Sequence, residues 1–218
     1  MELKGKVINF LGDSITEGVG ASSTEKNYVS LMEKSCELKE ARNYGIGGTR
    51  IARQSVMSDS PFDNDFNMRA DIMEDADLVV VFGGTNDYGH GQAELGKFSD
   101  REVFTFYGAM HTLCLKLIKK YTSNKIVFLT PLHRMNEDTM QGTWKPEGVE
   151  QRPLIDYVNA IREVCEYYSI PVLDMYKEGQ MPGNVWTWCE KYMPDGLHPN
   201  DKGYEIIANK LKKFLENL

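Results

Sequence analysis

The sequence predicts a three-layer α/β/α fold, a parallel sheet of about five strands covered by helices on both faces. Two observations carry that reading. Short apolar runs alternate along the chain with segments of helical spacing, and those runs are apolar at nearly every position rather than at every second one. Continuous apolarity means that both faces of a strand are buried, which is the condition of parallel strands joined by crossover helices.

The elements follow in order. Residues 7–11, Val-Ile-Asn-Phe-Leu, form a short apolar run that ends at Gly12. Residues 27–38 carry apolar or aromatic side chains at 28, 29, 31, 32, 36 and 38, the spacing of a helix. A weak second strand over 41–44 precedes Gly45-Ile46-Gly47-Gly48. The strongest strand signal is Leu78-Val79-Val80-Val81-Phe82, stopped by Gly83-Gly84. A helix over 103–121 leads to a fourth strand over 125–129. Then come a helix over 154–168, a fifth strand over 171–174 and a last helix over 201–218. Two stretches, 131–153 and 175–200, read as long irregular loops, which in a folded domain usually carry function. The chain shows no internal repeat, low-complexity tract or dividing linker, so residues 1–218 are expected to form one domain.

Composition narrows the function. The 218 residues carry a formal charge of -7 without a long Lys/Arg run, which argues against a nucleic-acid partner. No segment approaches the ~20 apolar residues of a membrane span. The start of the chain has no charged and apolar leader pattern, and the four cysteines are scattered without metal spacing. A cytoplasmic protein with reduced thiols, no metal and no cofactor is expected. A chain already trimmed of its leader reads the same way.

Polar residues gather where the strands end. After the first strand come Gly12-Asp13-Ser14, after the second Asn43 to Thr49, and after the third Gly83-Gly84-Thr85-Asn86-Asp87. Ligands of open α/β sheets bind beyond these carboxyl ends. If strand 1 lies between strands 2 and 3, at ~4.8 Å spacing, Ser14, Gly48 and Asn86 are delivered side by side. Acyl transfer needs that arrangement: a hydroxyl to attack, and N–H donors to hold the oxyanion. Serine also needs a base. Among His90, His111, His133 and His198, the last stands out in Asp195-Gly196-Leu197-His198, where the carboxylate can orient the imidazole. His111 reads as structural, inside a helix. The 20 residues between Asp174 and Asp195 can cross the roughly 14 Å from the fifth strand to the first. Each feature alone also has a plain structural reading, Ser14 as a helix cap and the glycines and Asp195-Gly196 as turns. Their joint occurrence at these strand ends favours chemistry.

Together these segments resemble the GDSL or SGNH hydrolase superfamily over residues 6 to 204. Gly12-Asp13-Ser14-Ile15 is similar to its first block, with Ile for the usual Leu. Asn43 to Gly48 is similar to the second, Gly84-Thr85-Asn86-Asp87 to the third, and Asp195-x-x-His198 to the last. The resemblance implies a flavodoxin-like strand order 2-1-3-4-5 and hydrolysis of esters or related acyl groups. It implies Ser14 as nucleophile, His198 as general base and then acid, and Asp195 as its partner. The Ser14 N–H, the Gly48 N–H and the Asn86 amide would form the oxyanion hole, with Gly47 the competitor of Gly48. Asp13 and Asp87 are expected to shape loops. The Gly-x-Ser-x-Gly elbow of α/β-hydrolases is absent, since position 16 is Thr.

The expected partner is a small-molecule acyl ester, with an O-acetyl group on a carbohydrate the leading choice. Tyr88, His90, His133, Trp186 and Trp188 are the substrate-facing candidates, together with Trp144 and Tyr192 from the two long stretches. Lysophospholipase, thioesterase and acyl-transfer chemistry are alternatives with the same catalytic residues. A silent binding module and a nucleotide or flavin binder are the non-hydrolytic ones. The sequence has neither a P-loop nor a Gly-x-Gly-x-x-Gly run to support the latter.

Overall fold

Successive side chains of a strand point to opposite faces, so a strand apolar throughout must be covered twice. That is how β3 (Leu78–Phe82) and β4 (Ile126–Leu129) are built, and β1 (Val7–Gly12) is built likewise apart from the buried Asn9, whose Nδ2 donates to the Glu74 carbonyl at 2.6 Å. Val79, Val81 and Phe128 enter one core, beneath α3 (Phe66–Ile72), α5 (Phe106–Tyr121) and α6 (Leu154–Tyr167). Val80, Phe82, Val127 and Leu129 enter the other, beneath α2 (Tyr28–Ser35) and α9 (Asp201–Glu216). Each such side chain removed from water contributes roughly 1.5–3 kcal/mol before entropy is charged against it. The structure, a computed structural model, describes residues 1–55, 58–121, 125–139 and 151–218.

With β2 (Glu40–Gly45) and β5 (Val172–Leu173) at the edges, the five strands are parallel in the order β2-β1-β3-β4-β5. The register matters for function. Gly12 pairs with Gly45 on one side and with Phe82 on the other, so three strands end at one height. The turns that follow them therefore open side by side.

Several boundaries differ from the sequence reading. The first long helix runs from Tyr28 to Ser35, because Asn27 caps it by accepting a hydrogen bond from Ser30 N at 2.9 Å. The helix expected from 103 begins at Phe106. The fifth strand is only two residues long, and Asp174 instead caps α7 (Met175–Glu178). The stretch 175–200 is not an irregular loop: it holds α7 and α8 (Trp186–Tyr192). Four and seven residues are too few to reveal a helical period, which is also why α3 was not legible. Of the stretch 131–153, residues 131–139 and 151–153 carry no helix or strand, and Trp144 lies outside the described residues. No helix among the described residues is long and apolar enough to cross a membrane.

Candidate active site

The strand-to-helix turn after β1 explains why that strand ends on glycine. A Cβ on Gly12 would overlap the Thr16 side chain and stand 2.9 Å from the Phe82 carbonyl oxygen. The chain then folds directly into α1 (Ser14–Glu17), capped by Asp13, whose Oδ1 accepts from Ile15 N at 3.0 Å. Ser14 thus stands at the first position of a helix, where its backbone N–H has no intrahelical acceptor. It is 7% exposed. Asp13 is fully buried, and that burial pushes its carboxyl up to about 6, against the pull of the Ile15 N–H and the Arg69 and His198 charges.

The far end of the chain is fastened to the segment that follows α1. Asp201, in the first turn of α9, accepts from Ser22 N at 2.8 Å and from Ser22 Oγ at 2.7 Å, and Tyr204 Oη donates to the Val19 carbonyl at 2.7 Å. These bonds carry residues 195–198 over Ser14. His198 Nε2 lies 2.9 Å from Ser14 Oγ, and His198 Nδ1 lies 2.6 Å from Asp195 Oδ2. Asp195 Oδ1 accepts from the backbone N–H of Leu197 at 2.9 Å and of His198 at 2.7 Å, which locks the turn. Partial burial works to raise the Asp195 carboxyl, but the hydrogen bonds from the His198 backbone and ring and from Leu197 outweigh it and hold it below the usual carboxylate range. The structure therefore brings Ser14, His198 and Asp195 into one chain of contacts. A proton can pass from the hydroxyl to Nε2 while Nδ1–H stays on the carboxylate.

The loop after β2 lies against the serine: a Cβ built on Gly47 would stand 3.7 Å from Ser14 Cβ. The Gly47 N–H donates to Glu17 Oε2 at 2.7 Å and is engaged. The Gly48 N–H has no hydrogen-bond acceptor among the described residues, and Gly48 adopts φ 72°, a conformation natural to glycine. From the turn after β3, α4 (Thr85–Gly89) delivers Asn86, whose Nδ2 donates to the Thr49 carbonyl at 3.0 Å and has a second N–H to offer. Asp87 accepts from Ile51 N at 3.0 Å and Ala52 N at 2.9 Å, shaping the neighbouring loop.

The substrate-facing candidates divide. Tyr88 is corrected: it is 2% exposed, its ring packs edge-on against Tyr157, and its hydroxyl donates to the Asn136 carbonyl. It is a core residue with a satisfied hydroxyl. His90 Nδ1 is 3.2 Å from Arg50 Nη1. A guanidinium can only donate, so Nδ1 accepts and the ring proton sits on Nε2. Burial, with Arg50 and Arg134 nearby, pushes His90 down to about 4, so it stays neutral at physiological pH. His133 Nδ1 is held by Glu137 at 2.7 Å and its ring lies 3.9 Å from that of Tyr176. Trp186 and Trp188 are exposed on α8, where Trp188 stacks on Tyr192 at 5.6 Å. His111 is fully buried between Tyr168 Oη and the Phe98 carbonyl, in a structural role.

The sequence reading missed three residues. Glu137, buried, gathers His133, Arg134 N, Tyr176 Oη and Asn184 Nδ2, and only its four-residue spacing from His133 hinted at this. Arg134 reaches the Thr85 carbonyl and hydroxyl beside Asn86. Arg69 binds backbone carbonyls from separate segments, a pattern with no sequence signal.

With that geometry in hand, the profile of the GDSL-like Lipase/Acylhydrolase family matches residues 10–206. The chain belongs to that family. It is therefore an enzyme of the esterase and acylhydrolase class. A crystal structure of a Lactobacillus plantarum protein is 31% identical, with a TM-score of 0.82 over 98% of this chain and 98% of that one. The lipase/acylhydrolase of Enterococcus faecalis, 23% identical over 97% of this chain and 96% of that one, shares the fold with a TM-score of 0.67. An acetylxylan esterase of Xylanibacter ruminicola is 22% identical over 93% of this chain, which spans 42% of that relative's length.

Proposed function

We propose that the chain is a serine esterase for small acyl groups, with O-acetyl groups on carbohydrates as the favoured substrate class. The observation that carries the mechanism is the 2.9 Å approach of His198 Nε2 to Ser14 Oγ, with Asp195 Oδ2 2.6 Å from Nδ1. Ser14 Oγ attacks the acyl carbonyl as His198 Nε2 takes its proton. The carbonyl π pair moves to oxygen, where the N–H groups of Ser14 and Gly48 and the free Asn86 amide proton receive it. Collapse breaks the ester C–O bond, and His198 returns the proton to the leaving alcohol. Water then repeats the sequence, releasing the carboxylic acid and regenerating Ser14.

Support for ester hydrolysis comes from the family, and the acetylxylan esterase among its relatives favours a small acyl group. The exposed Trp186 indole on α8 offers a flat face of the kind on which sugar rings stack. A chain-length series of p-nitrophenyl esters followed by acetylated sugars tests the reading. Acetate is expected to be turned over fastest, and Ser14→Ala is expected to lose that activity without change in thermal unfolding. Undiminished turnover in the variant, or a clear preference for long acyl chains, would refute it.

A further inference from the structure

One buried cation braces this site from behind. Arg69, on α3, is 4% exposed. Its Nη1 donates to the Gly12 carbonyl at 2.9 Å and also to the Tyr44 carbonyl. Its Nη2 donates to Thr49 Oγ1 at 2.7 Å, and its Nε to the Asn64 carbonyl at 2.9 Å. The guanidinium lies 4.7 Å over the Phe66 ring. Gly12 stands two residues before Ser14, Tyr44 is the last residue but one of β2, and Thr49 follows Gly48. Thr49 also accepts, through its carbonyl, the Asn86 amide at 3.0 Å. One guanidinium thus joins the ends of β1 and β2 to the loop between Gly45 and Arg50, and through Thr49 it reaches α4.

We infer that Arg69 is the positioning residue of the oxyanion hole, fixing the spacing of the Ser14, Gly48 and Asn86 donors through Gly12, Tyr44 and Thr49. The inference rests on the acyl-enzyme reading of the site. Lysine cannot reproduce the role: its ammonium is a point charge, whereas the planar fork reaches acceptors in several directions at once. Burial lowers the Arg69 pKa to about 10, so the group remains cationic at neutral pH. Its positive charge faces the same turns where negative charge develops in the transition state. A misplacement of about 1 Å in such donors costs on the order of 100-fold in rate.

The test uses Arg69→Lys, Thr49→Val and the double variant, assayed on p-nitrophenyl acetate with active sites counted by stoichiometric phosphonate labelling. Arg69→Lys is expected to lower kcat per active site by about 30-fold or more, with KM within about threefold because ground-state binding is untouched. Thr49→Val removes the hydroxyl that receives Nη2 and is expected to lower kcat about tenfold. The double variant is expected to lose less than the product of the two single losses, because both changes remove the Arg69–Thr49 bond, while Arg69→Lys also loses the bonds to Gly12, Tyr44 and Asn64 and Thr49→Val also loses the bond from its hydroxyl to the Ile46 carbonyl. The role is overturned if kcat per labelled site in Arg69→Lys stays within about twofold of the parent, or if the two losses multiply. If Arg69→Lys does not fold, Thr49→Val decides: kcat within about twofold of the parent overturns the role. A Ser14→Ala control separates the two layers. Retained turnover there would unseat the acyl-enzyme reading itself, whereas an inert control beside a normal Arg69→Lys would remove only Arg69.

Discussion

Replacing Asp13 with Asn should stabilise the protein at neutral pH while slowing it. Asp13 is wholly buried, and its carboxyl is pushed from an ordinary value of 3.8 up to about 6. The native state therefore holds this proton more tightly than the unfolded chain does. Below pH ~4 both states are protonated and the group costs nothing. Between about 4 and 6 the unfolded chain releases its proton first, so native stability falls as pH rises. Above about 6 the full cost of keeping a buried carboxylate, about 3 kcal/mol, is present. Asn keeps a carbonyl oxygen that can accept the Ile15 N–H, but it carries no charge to desolvate. Asp13 also caps the helix that carries Ser14 and lies within electrostatic reach of His198, so Asp13→Asn should lower kcat, a trade of activity for stability. Urea unfolding of both proteins at pH 4, 5, 6, 7 and 8 measures this. The stability difference is expected to be near zero at pH 4, to grow in favour of Asp13→Asn, and to level off above pH ~6. A difference that does not vary with pH, or a variant less stable at pH 7, would refute the reasoning.

Asn86→Ala should lower kcat by roughly 100- to 1,000-fold with little change in KM, as loss of one oxyanion donor does; steady-state kinetics on p-nitrophenyl acetate check it. His90 titrates near 4, well below the working range, so His90→Gln should leave the acid limb of the kcat/KM profile where it is between pH 5 and 8. A displaced limb would mean that His90 takes part in proton transfer.

The strands at the centre of the sheet were legible because burial on both faces leaves almost no polar position: none at Leu78 to Phe82, and Asn9 alone in β1. The edge strand β2 was faint for the converse reason, since its residues are exposed or only partly buried. The aromatic candidates separated only in three dimensions. Tyr88 follows the Asn86 motif in sequence, yet the turn of α4 sends its ring into the core. Asp195 and His198 were readable because their spacing is local, and the meeting with Ser14 required a topology that the order of elements supplied. That the Gly47 N–H is engaged was not readable, because it turns on the Glu17 carboxylate folding back onto it. Arg69 was hidden for a similar reason: apart from the Thr49 hydroxyl its partners are backbone carbonyls, and any residue can supply those.

Labelling with a serine-directed fluorophosphonate, followed by peptide mapping, reads the joined ends of the chain most directly. One equivalent is expected on the peptide containing Ser14, with labelling slowed by at least about 100-fold in His198→Ala. A label on another residue, or an unchanged rate without the imidazole, would contradict the pairing of Ser14 with His198.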